Sequence, residues 1–261
     1  MEKHHQAAID QFIERYQNDP ALLAILLGGS LAHGFAGPNA DIDLILVVEE
    51  AEYQKRKNEG KLAFSIRDFC AYPGGYIDCK VVSPERLRLV AARGSDPARY
   101  AYQDSKILFS RLPGLDRLLA EIVRFPVAEQ ACRRERFAAQ LLAWRWYYSQ
   151  AVEKDNRYLL YLSLQKLLLF ACRLVLNENR MLYPYHKWLL RVVAKAPAQP
   201  PAFVETLDRL LTAPTADLVE QLCNQVLSFL GLDETAIDWP NQFLQDSEEN
   251  WVKQEPPVDD I

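Results

Sequence analysis

The start of the chain alternates between a helical pattern and short, fully apolar runs. Residues 3–18 place apolar side chains at helical spacing among charged ones, and Asp19-Pro20 ends the pattern. Residues 22–27 and 42–48 are almost entirely apolar, which is typical of buried strands, and a loop rich in Gly, Pro and Asn separates them. The pattern therefore predicts an amphipathic helix followed by two core strands.

A second group of short elements follows these strands. The charged stretch at residues 49–60 predicts a surface helix. Residues 62–71 and 75–82 alternate apolar and polar positions on either side of a Pro-Gly-Gly turn, which predicts a hairpin or two adjacent strands. After a further helical segment, residues 106–109 predict an edge strand.

Beyond Pro113-Gly114, nearly every segment has the apolar spacing of a helix. The predicted helices cover residues 115–123, 128–153, 157–176, 188–194, 203–211 and 218–230. Because strands precede this region and helices fill it, we predict the α+β fold class, with a strand-rich domain at residues 1–112 and an all-α domain at residues 113–232. Residues 233–261 are acidic and contain two tryptophans and three prolines, which predicts a loosely held tail.

The composition is that of an ordinary globular protein, since 49% of the 261 residues are hydrophobic and 25% are charged. The five cysteines are scattered and include no Cys-x-x-Cys pair, which disfavours a disulfide framework and a zinc knuckle. No uninterrupted apolar run approaches the roughly 20 residues of a membrane span, and the N-terminus lacks the pattern of a signal peptide. We therefore expect a cytoplasmic protein without a membrane partner.

The formal charge of −5 is unevenly distributed. Residues 233–261 hold nine acidic residues and one Lys, a charge of −8, so residues 1–232 carry +3. Proteins that bind duplex nucleic acid usually have a strongly basic domain, which this chain lacks. The charge distribution disfavours a nucleic-acid partner and favours a small molecule or a protein as substrate.

Two acidic residues stand at the start of the second apolar run. Side chains two residues apart in a strand point to the same face, so Asp41 and Asp43 lie side by side, about 7 Å apart at the backbone. Two carboxylates this close are costly to desolvate unless a cation lies between them, and hard oxygen ligands favour Mg²⁺. Without a cation, the same residues would only decorate the start of a strand.

The residues before and after these acids supply complementary chemistry. Gly28 and Gly29 allow a ligand to approach the backbone closely, and the Ser30 hydroxyl can donate a hydrogen bond to a phosphate. On a neighbouring predicted strand, Asp78 and Lys80 share one face. Asp78 can complete a metal site or accept the proton of an attacking hydroxyl, whereas Lys80 can pair with Asp78 or bind phosphate.

This set of residues resembles the pattern of the nucleotidyltransferase superfamily that shares the catalytic domain of DNA polymerase beta. That pattern is Gly-Ser, a short spacer, Asp-x-Asp on a strand and a later third acid, here Gly29-Ser30, Asp41-x-Asp43 and Asp78. The chain looks closest to the antibiotic (aminoglycoside-type) members, which carry a helical domain behind the catalytic one.

The resemblance implies a fold, a reaction and roles for these residues. The first domain would be a mixed sheet with flanking helices. The donor would be ATP or another NTP with Mg²⁺, two ions being expected, and a nucleoside monophosphate would pass to a hydroxyl with release of pyrophosphate. Asp41 and Asp43 would bind metal, residues 28–30 would bind the triphosphate, and Asp78 would be a metal ligand or the base.

Two positions depart from the family pattern. Ala40 stands where a Ser often precedes the first Asp, and His33 stands where an Arg is common. Neither departure removes a metal ligand. His33 is interpreted as a substrate contact or as a loop residue without a role.

A later segment resembles part of the helical domain of some antibiotic-type nucleotidyltransferases. Residues 177–188 contain an Asn-rich stretch followed by Tyr-Pro and Lys-Trp. Lys187 can reach a phosphate, and the aromatic side chains can stack on a base. In the alternative interpretation, the segment connects two helices and its aromatic side chains pack in the core.

Three functions are consistent with these features. The first is Mg²⁺-dependent transfer of a nucleotide, AMP from ATP, to a hydroxyl of a small molecule. The second keeps the chemistry but uses a protein or an RNA end as the acceptor. The third is a non-catalytic nucleotide-binding module. A homodimer remains open as the assembly.

Overall fold

The computed structural model describes residues 1–252 and 255–260 and divides the chain into two units, Met1–Arg124 and Phe125–Ile261. The first unit contains a five-stranded sheet with helices, and the second unit is helical in the residues described. The predicted α+β fold class is therefore confirmed.

The first unit contains, in chain order, α1 (Lys3–Tyr16), β1 (Leu22–Leu27), α2 (Gly29–His33), β2 (Ile42–Val48), α3 (Glu50–Asn58), β3 (Ala63–Ile66), β4 (Ile77–Val82), α4 (Pro84–Arg93), α5 (Asp96–Tyr100), β5 (Lys106–Ser110) and α6 (Leu115–Ile122). The second unit contains α7 (Gln130–Glu153), α8 (Arg157–Glu178), α9 (Leu189–Val193), α10 (Phe203–Thr212), α11 (Ala216–Leu230) and α12 (Trp239–Phe243). Short 3-10 helical turns lie at Val127–Glu129, His186–Trp188, Glu234–Ala236, Asn250–Val252 and Val258–Asp260, and a π-helical turn lies at Leu244–Glu248.

The sheet has the strand order β3-β4-β2-β1-β5. β2 and β4 are parallel, and the other three neighbouring pairs are antiparallel. The predicted hairpin is present as the pair β3 and β4, although the strand expected within residues 62–71 is limited to β3. The sheet is mixed, as the family resemblance implied.

Helices cover both faces of the sheet, which explains why β1 and β2 are apolar at nearly every position. On one face, Phe12 of α1 and Ile25 of β1 belong to the same buried cluster. On the other face, Leu87 of α4 and Leu26 of β1 share a second cluster, which includes residues of α6. This double coverage holds the ends of the central strands in fixed positions.

The boundary between the units lies after Arg124, later than the boundary predicted after residue 112. The reason is that α6 packs on α4 and adds its apolar face to the core of the sheet. Arg99 of α5, a residue that is 7% exposed, reinforces this packing. Its guanidinium donates hydrogen bonds to the carbonyl oxygens of Ala91 (2.9 Å), Gly94 (2.9 Å) and Ile122 (3.0 Å). Residues 113–124 therefore belong with the sheet.

We expect the substitution Arg99→Lys to lower the free energy of unfolding by about 2–4 kcal/mol, because a lysine ammonium cannot reach all three carbonyls and buried acceptors left without a donor are costly. Urea denaturation measures this change, and hydrogen exchange at the amides of α4 and α6 locates it. Arg93→Lys is the matched control, since Arg93 is exposed at the end of α4. Equal losses in both variants would contradict the assigned role of Arg99.

The two longest helices, α7 and α8, pack along each other in the second unit. By length and composition, α8 is the one helix among the described residues that would be able to cross a membrane. Lys166 and Arg173 interrupt the apolar sequence of α8, so this helix contains no uninterrupted apolar run long enough for a membrane span. Half of its apolar stretch is buried, which is typical of the core helix of a globular unit.

The prediction of a loosely held tail is wrong for residues 234–248. Phe243 of α12 is buried, and its ring centroid lies 5.9 Å from that of Trp144 of α7. Arg136, also on α7, holds Asp246 through an ion pair of 2.8 Å. Two acids of the segment, Asp246 and Glu234, pair with arginines of α7, and these contacts between distant residues cannot be read from the local composition.

Candidate active site

Three chain segments meet at one end of the central strands. β1 ends at Leu27, and because β1 and β2 are antiparallel, the residues after Leu27 lie next to the start of β2. The backbone N–H of Gly28 donates to the carbonyl oxygen of Asp43 at 2.9 Å. Across the parallel pair, Asp43 is opposite Asp78, on strands about 4.8 Å apart. The fold thus brings residues 28–30 to the carboxylates of two adjacent strands.

Gly29 lies directly against the side chain of Asp43. Its φ of +59° is a conformation that glycine adopts without strain. A Cβ added to Gly29 would lie 2.7 Å from the Cβ of Asp43 and would overlap its carboxylate. Only glycine therefore fits this position without a shift of Asp43.

Ser30 follows in the first turn of α2. The residue is 8% exposed, and its Oγ has no hydrogen-bond partner among the described residues. A buried hydroxyl without a partner is costly, and binding of a ligand oxygen would remove that cost. This is an observation in favour of a ligand at the turn of residues 28–30.

Asp41 lies one residue before β2 and has a defined partner, Tyr76. The Tyr76 hydroxyl donates to Asp41 Oδ2 at 3.0 Å. This hydrogen bond is the main cause of a raised pKa of Tyr76, and the charges of Asp41, Asp78 and Asp43 raise that pKa further. All three carboxylates that the sequence pattern singled out therefore lie close enough to Tyr76 to raise the pKa of its hydroxyl.

These groups fit Mg²⁺ by their chemistry. Carboxylate oxygens are hard ligands, and Mg²⁺ is usually held by one or two carboxylates together with substrate phosphates and water. Within residues 1–252 and 255–260, no three His, Cys, Asp or Glu side chains form a ready-made metal cage. A cation at this end of the sheet would need ligands from a triphosphate or water besides the carboxylates.

Sequence reasoning missed the residues that hold the segment before β2. The carbonyl oxygen of Ala40 accepts from the Tyr72 hydroxyl at 2.8 Å and lies 3.1 Å from Nε2 of His5. His5 is fully buried, and burial is the main cause of its lowered pKa, so the neutral ring donates from Nε2 while Nδ1 accepts from the N–H of Glu2 at 3.2 Å. The sequence held one signal for Tyr76. It stands two positions before Asp78, and residues at that spacing in an extended strand point to the same face.

The other predicted residues are placed differently. Lys80 is exposed on β4, on the same face as Asp78. Lys187 belongs to the second unit, where its ammonium lies 5.1 Å from the ring centroid of Trp188. His33 has a side chain that is 4% exposed, and its Nδ1 lies 3.1 Å from Oδ2 of Asp104. Roles for Lys80 and Lys187 in nucleotide binding stay predictions, as does the role of His33.

Two solved structures illustrate what the chain is similar to. One is a nucleotidyltransferase-like protein from Exiguobacterium sibiricum 255-15, at 15% identity and a TM-score of 0.47, covering 97% of this chain and 81% of that one. The other is spectinomycin adenyltransferase AAD(9) from Enterococcus faecialis with ATP and spectinomycin, at 15% identity and a TM-score of 0.33, covering 97% of this chain and 99% of that one. No curated protein sequence matches the chain.

The family model of the nucleotidyltransferase domain matches residues 9–92. The matched range contains the turn at residues 28–30, the carboxylates of β2 and β4, and both tyrosines that hold residues 40–41. The superfamily identified from the sequence is thereby confirmed, together with the expected enzyme class at the level of this domain. Residues 9–92 of this chain are a nucleotidyltransferase domain.

Proposed function

We propose that the chain transfers a nucleoside monophosphate, AMP from ATP, to a hydroxyl of a small-molecule acceptor in a Mg²⁺-dependent reaction that releases pyrophosphate. The observation that carries this proposal is the packing of Gly29 against the Asp43 carboxylate, next to a buried Ser30 hydroxyl without a partner. This arrangement places a candidate phosphate-binding turn beside candidate metal ligands within a nucleotidyltransferase domain.

Each residue has a role that follows from its place. Asp41, Asp43 and Asp78 would hold Mg²⁺, which, when bound, stabilises negative charge on the phosphoryl oxygens. The Ser30 hydroxyl would donate a hydrogen bond to an oxygen of the triphosphate, and Gly29 leaves room for close approach of that oxygen. A carboxylate of the set, with Asp78 as the candidate, accepts the proton of the attacking hydroxyl as the bond to the α-phosphorus forms and pyrophosphate leaves.

One exposed lysine lies on the strand that carries Asp78 and can favour a donor with several negative charges. Lys80 is exposed on the face of β4 that carries Asp78, and it can attract a phosphate to this edge. Lys187 of the second unit is proposed as a further phosphate contact on the basis of the sequence pattern. A cytoplasmic location, the homodimer and the lack of a membrane partner remain predictions.

The proposal is tested by thermal stabilisation with ATP, GTP, CTP or UTP, with and without Mg²⁺. A ligand that binds only the folded state adds about 2.7 kcal/mol of stability at 100 times its dissociation constant. We expect a Mg²⁺-dependent rise in melting temperature that is largest with ATP and is lost in Asp43→Ala. Asp68→Ala is the control, because Asp68 is an exposed acid on the connection between β3 and β4.

The outcomes separate the candidate functions. If no nucleotide shifts the melting temperature with Mg²⁺, the proposal is wrong. If ATP binds but no acceptor of any class is ever modified, the chain is a non-catalytic nucleotide-binding module. Labelled AMP that appears on protein or RNA in place of small compounds would identify a macromolecular acceptor.

A further inference from the structure

Two tyrosines flank the turn between β3 and β4, and both reach the segment that leads into β2. Tyr72 donates to the carbonyl oxygen of Ala40, and Tyr76 donates to the carboxylate of Asp41. We propose that Tyr76 is a positioning residue, whose hydroxyl fixes one oxygen of Asp41 so that the other is directed at the cation. This inference rests on the proposed function, because it assigns a task to a residue next to the candidate metal site.

Asp41 is the carboxylate that most needs such a partner. Asp43 and Asp78 lie within strands, where the ladder fixes their backbone, and the side chain of Asp43 is packed against Gly29. Asp41 precedes β2 and is not itself paired in the ladder, and its side chain does not pack against Gly29 as that of Asp43 does. A hydrogen bond from Tyr76 supplies the missing constraint.

Two contacts fix the position of Tyr76 itself. Its carbonyl oxygen accepts the N–H of Ile42 at 3.0 Å, which ties it to the residue after Asp41. Its ring lies beneath the guanidinium of Arg67, with 5.7 Å between the guanidinium carbon and the ring centroid. The backbone and the ring therefore fix where the hydroxyl can point.

The chemistry of the hydroxyl suits this task. A tyrosine O–H can donate one hydrogen bond, and donation to Oδ2 leaves Oδ1 of Asp41 as the oxygen for a metal. The same dipole offsets part of the repulsion among three neighbouring carboxylates. Partners that orient metal ligands in this way typically change metal affinity by about 10- to 100-fold when they are removed.

The test is binding of Mn²⁺, used in place of Mg²⁺, measured by electron paramagnetic resonance of free Mn²⁺ with and without ATP. We expect Tyr76→Phe to bind Mn²⁺ about 10-fold more weakly than the wild type. Phenylalanine keeps the ring under Arg67, so the melting temperature without metal should fall by no more than the loss of this one hydrogen bond explains. Tyr16→Phe is the control, because it removes a tyrosine hydroxyl in α1 whose ring packs on Phe12 and Phe69.

A double-mutant cycle separates positioning from a general effect on the fold. If Tyr76 acts through Asp41, then Tyr76→Phe should change Mn²⁺ affinity by less than about 2-fold in an Asp41→Asn background, because interacting residues are not additive. A 10-fold loss in both backgrounds would overturn the inference, since Tyr76 would then act elsewhere.

The remaining outcomes distinguish this inference from the proposed function. Wild-type affinity in Tyr76→Phe would overturn the role of Tyr76 and leave the proposed reaction intact. If the wild type binds no Mn²⁺, with or without ATP, both the inference and the proposed Mg²⁺-dependent reaction are wrong.

Discussion

Asp43→Asn should lower the rate of nucleotidyl transfer by about 10³-fold or more, because a metal clamp is worth several kcal/mol of transition-state stabilisation and each 1.36 kcal/mol is a factor of ten. Asp43 is the centre of the site, since it packs against Gly29 and is opposite Asp78. Asparagine keeps the shape of the side chain and removes its charge, so the fold should persist. The measurement is pyrophosphate release from ATP in the presence of an acceptor found by screening.

The matched control for this prediction is Asp68→Asn, which removes the same charge from an exposed position in the same unit. We expect the control to keep nearly all of its activity. If both variants are equally active, the carboxylate of Asp43 has no part in the reaction. If Asp43→Asn and Asp68→Asn both lose activity, the loss comes from the change in net charge and not from the position of Asp43 in the candidate site.

Gly29→Ala should reduce activity by about 10²-fold or more, because a misplacement of a reacting group by 1 Å has an effect of that size. The new Cβ would overlap the Asp43 carboxylate and force it to move, and the φ of +59° adds backbone strain. Steady-state kinetics should show a fall in kcat, with a smaller change in melting temperature.

Gly34→Ala isolates the effect of the contact from the effect of the strain. Gly34 ends the same helix, has a φ of +70°, and has no atom within 4 Å of an added Cβ. We expect each variant to lose about 1 kcal/mol of stability from the left-handed conformation, with a further loss in Gly29→Ala from the overlap with Asp43, and only Gly29→Ala to lose activity. Equal losses of activity would show that activity depends on the conformation of α2 and not on the contact between Gly29 and Asp43.

Local patterns were sufficient to predict most elements of the fold. β1 and β2 are apolar runs because helices cover both faces of the sheet, and the long helices carry their periodicity over many residues. Motif spacing likewise brought residues 28–30, Asp41, Asp43 and Asp78 into one prediction, and the fold brings them together. Their roles in catalysis await the measurements above.

The features that sequence reasoning missed depend on contacts between distant residues. The parallel pairing of β2 with β4 is not encoded in either strand alone. The carboxylate of Asp246 pairs with Arg136, which is 110 residues earlier, so the local composition alone predicted a loosely held tail. The hydroxyl of Tyr76 reaches Asp41 across 35 residues, a contact that only the folded sheet defines.

The strand order also has a consequence for how the protein acquires its site. β1 with β2 and β3 with β4 are antiparallel pairs that close comparatively short loops, whereas β2 with β4 joins the two pairs over a longer stretch of chain. Asp43 lies in one pair, and Asp78 and Tyr76 accompany the other. Neither pair alone contains the candidate site, so a complete site requires the pairing of β2 with β4.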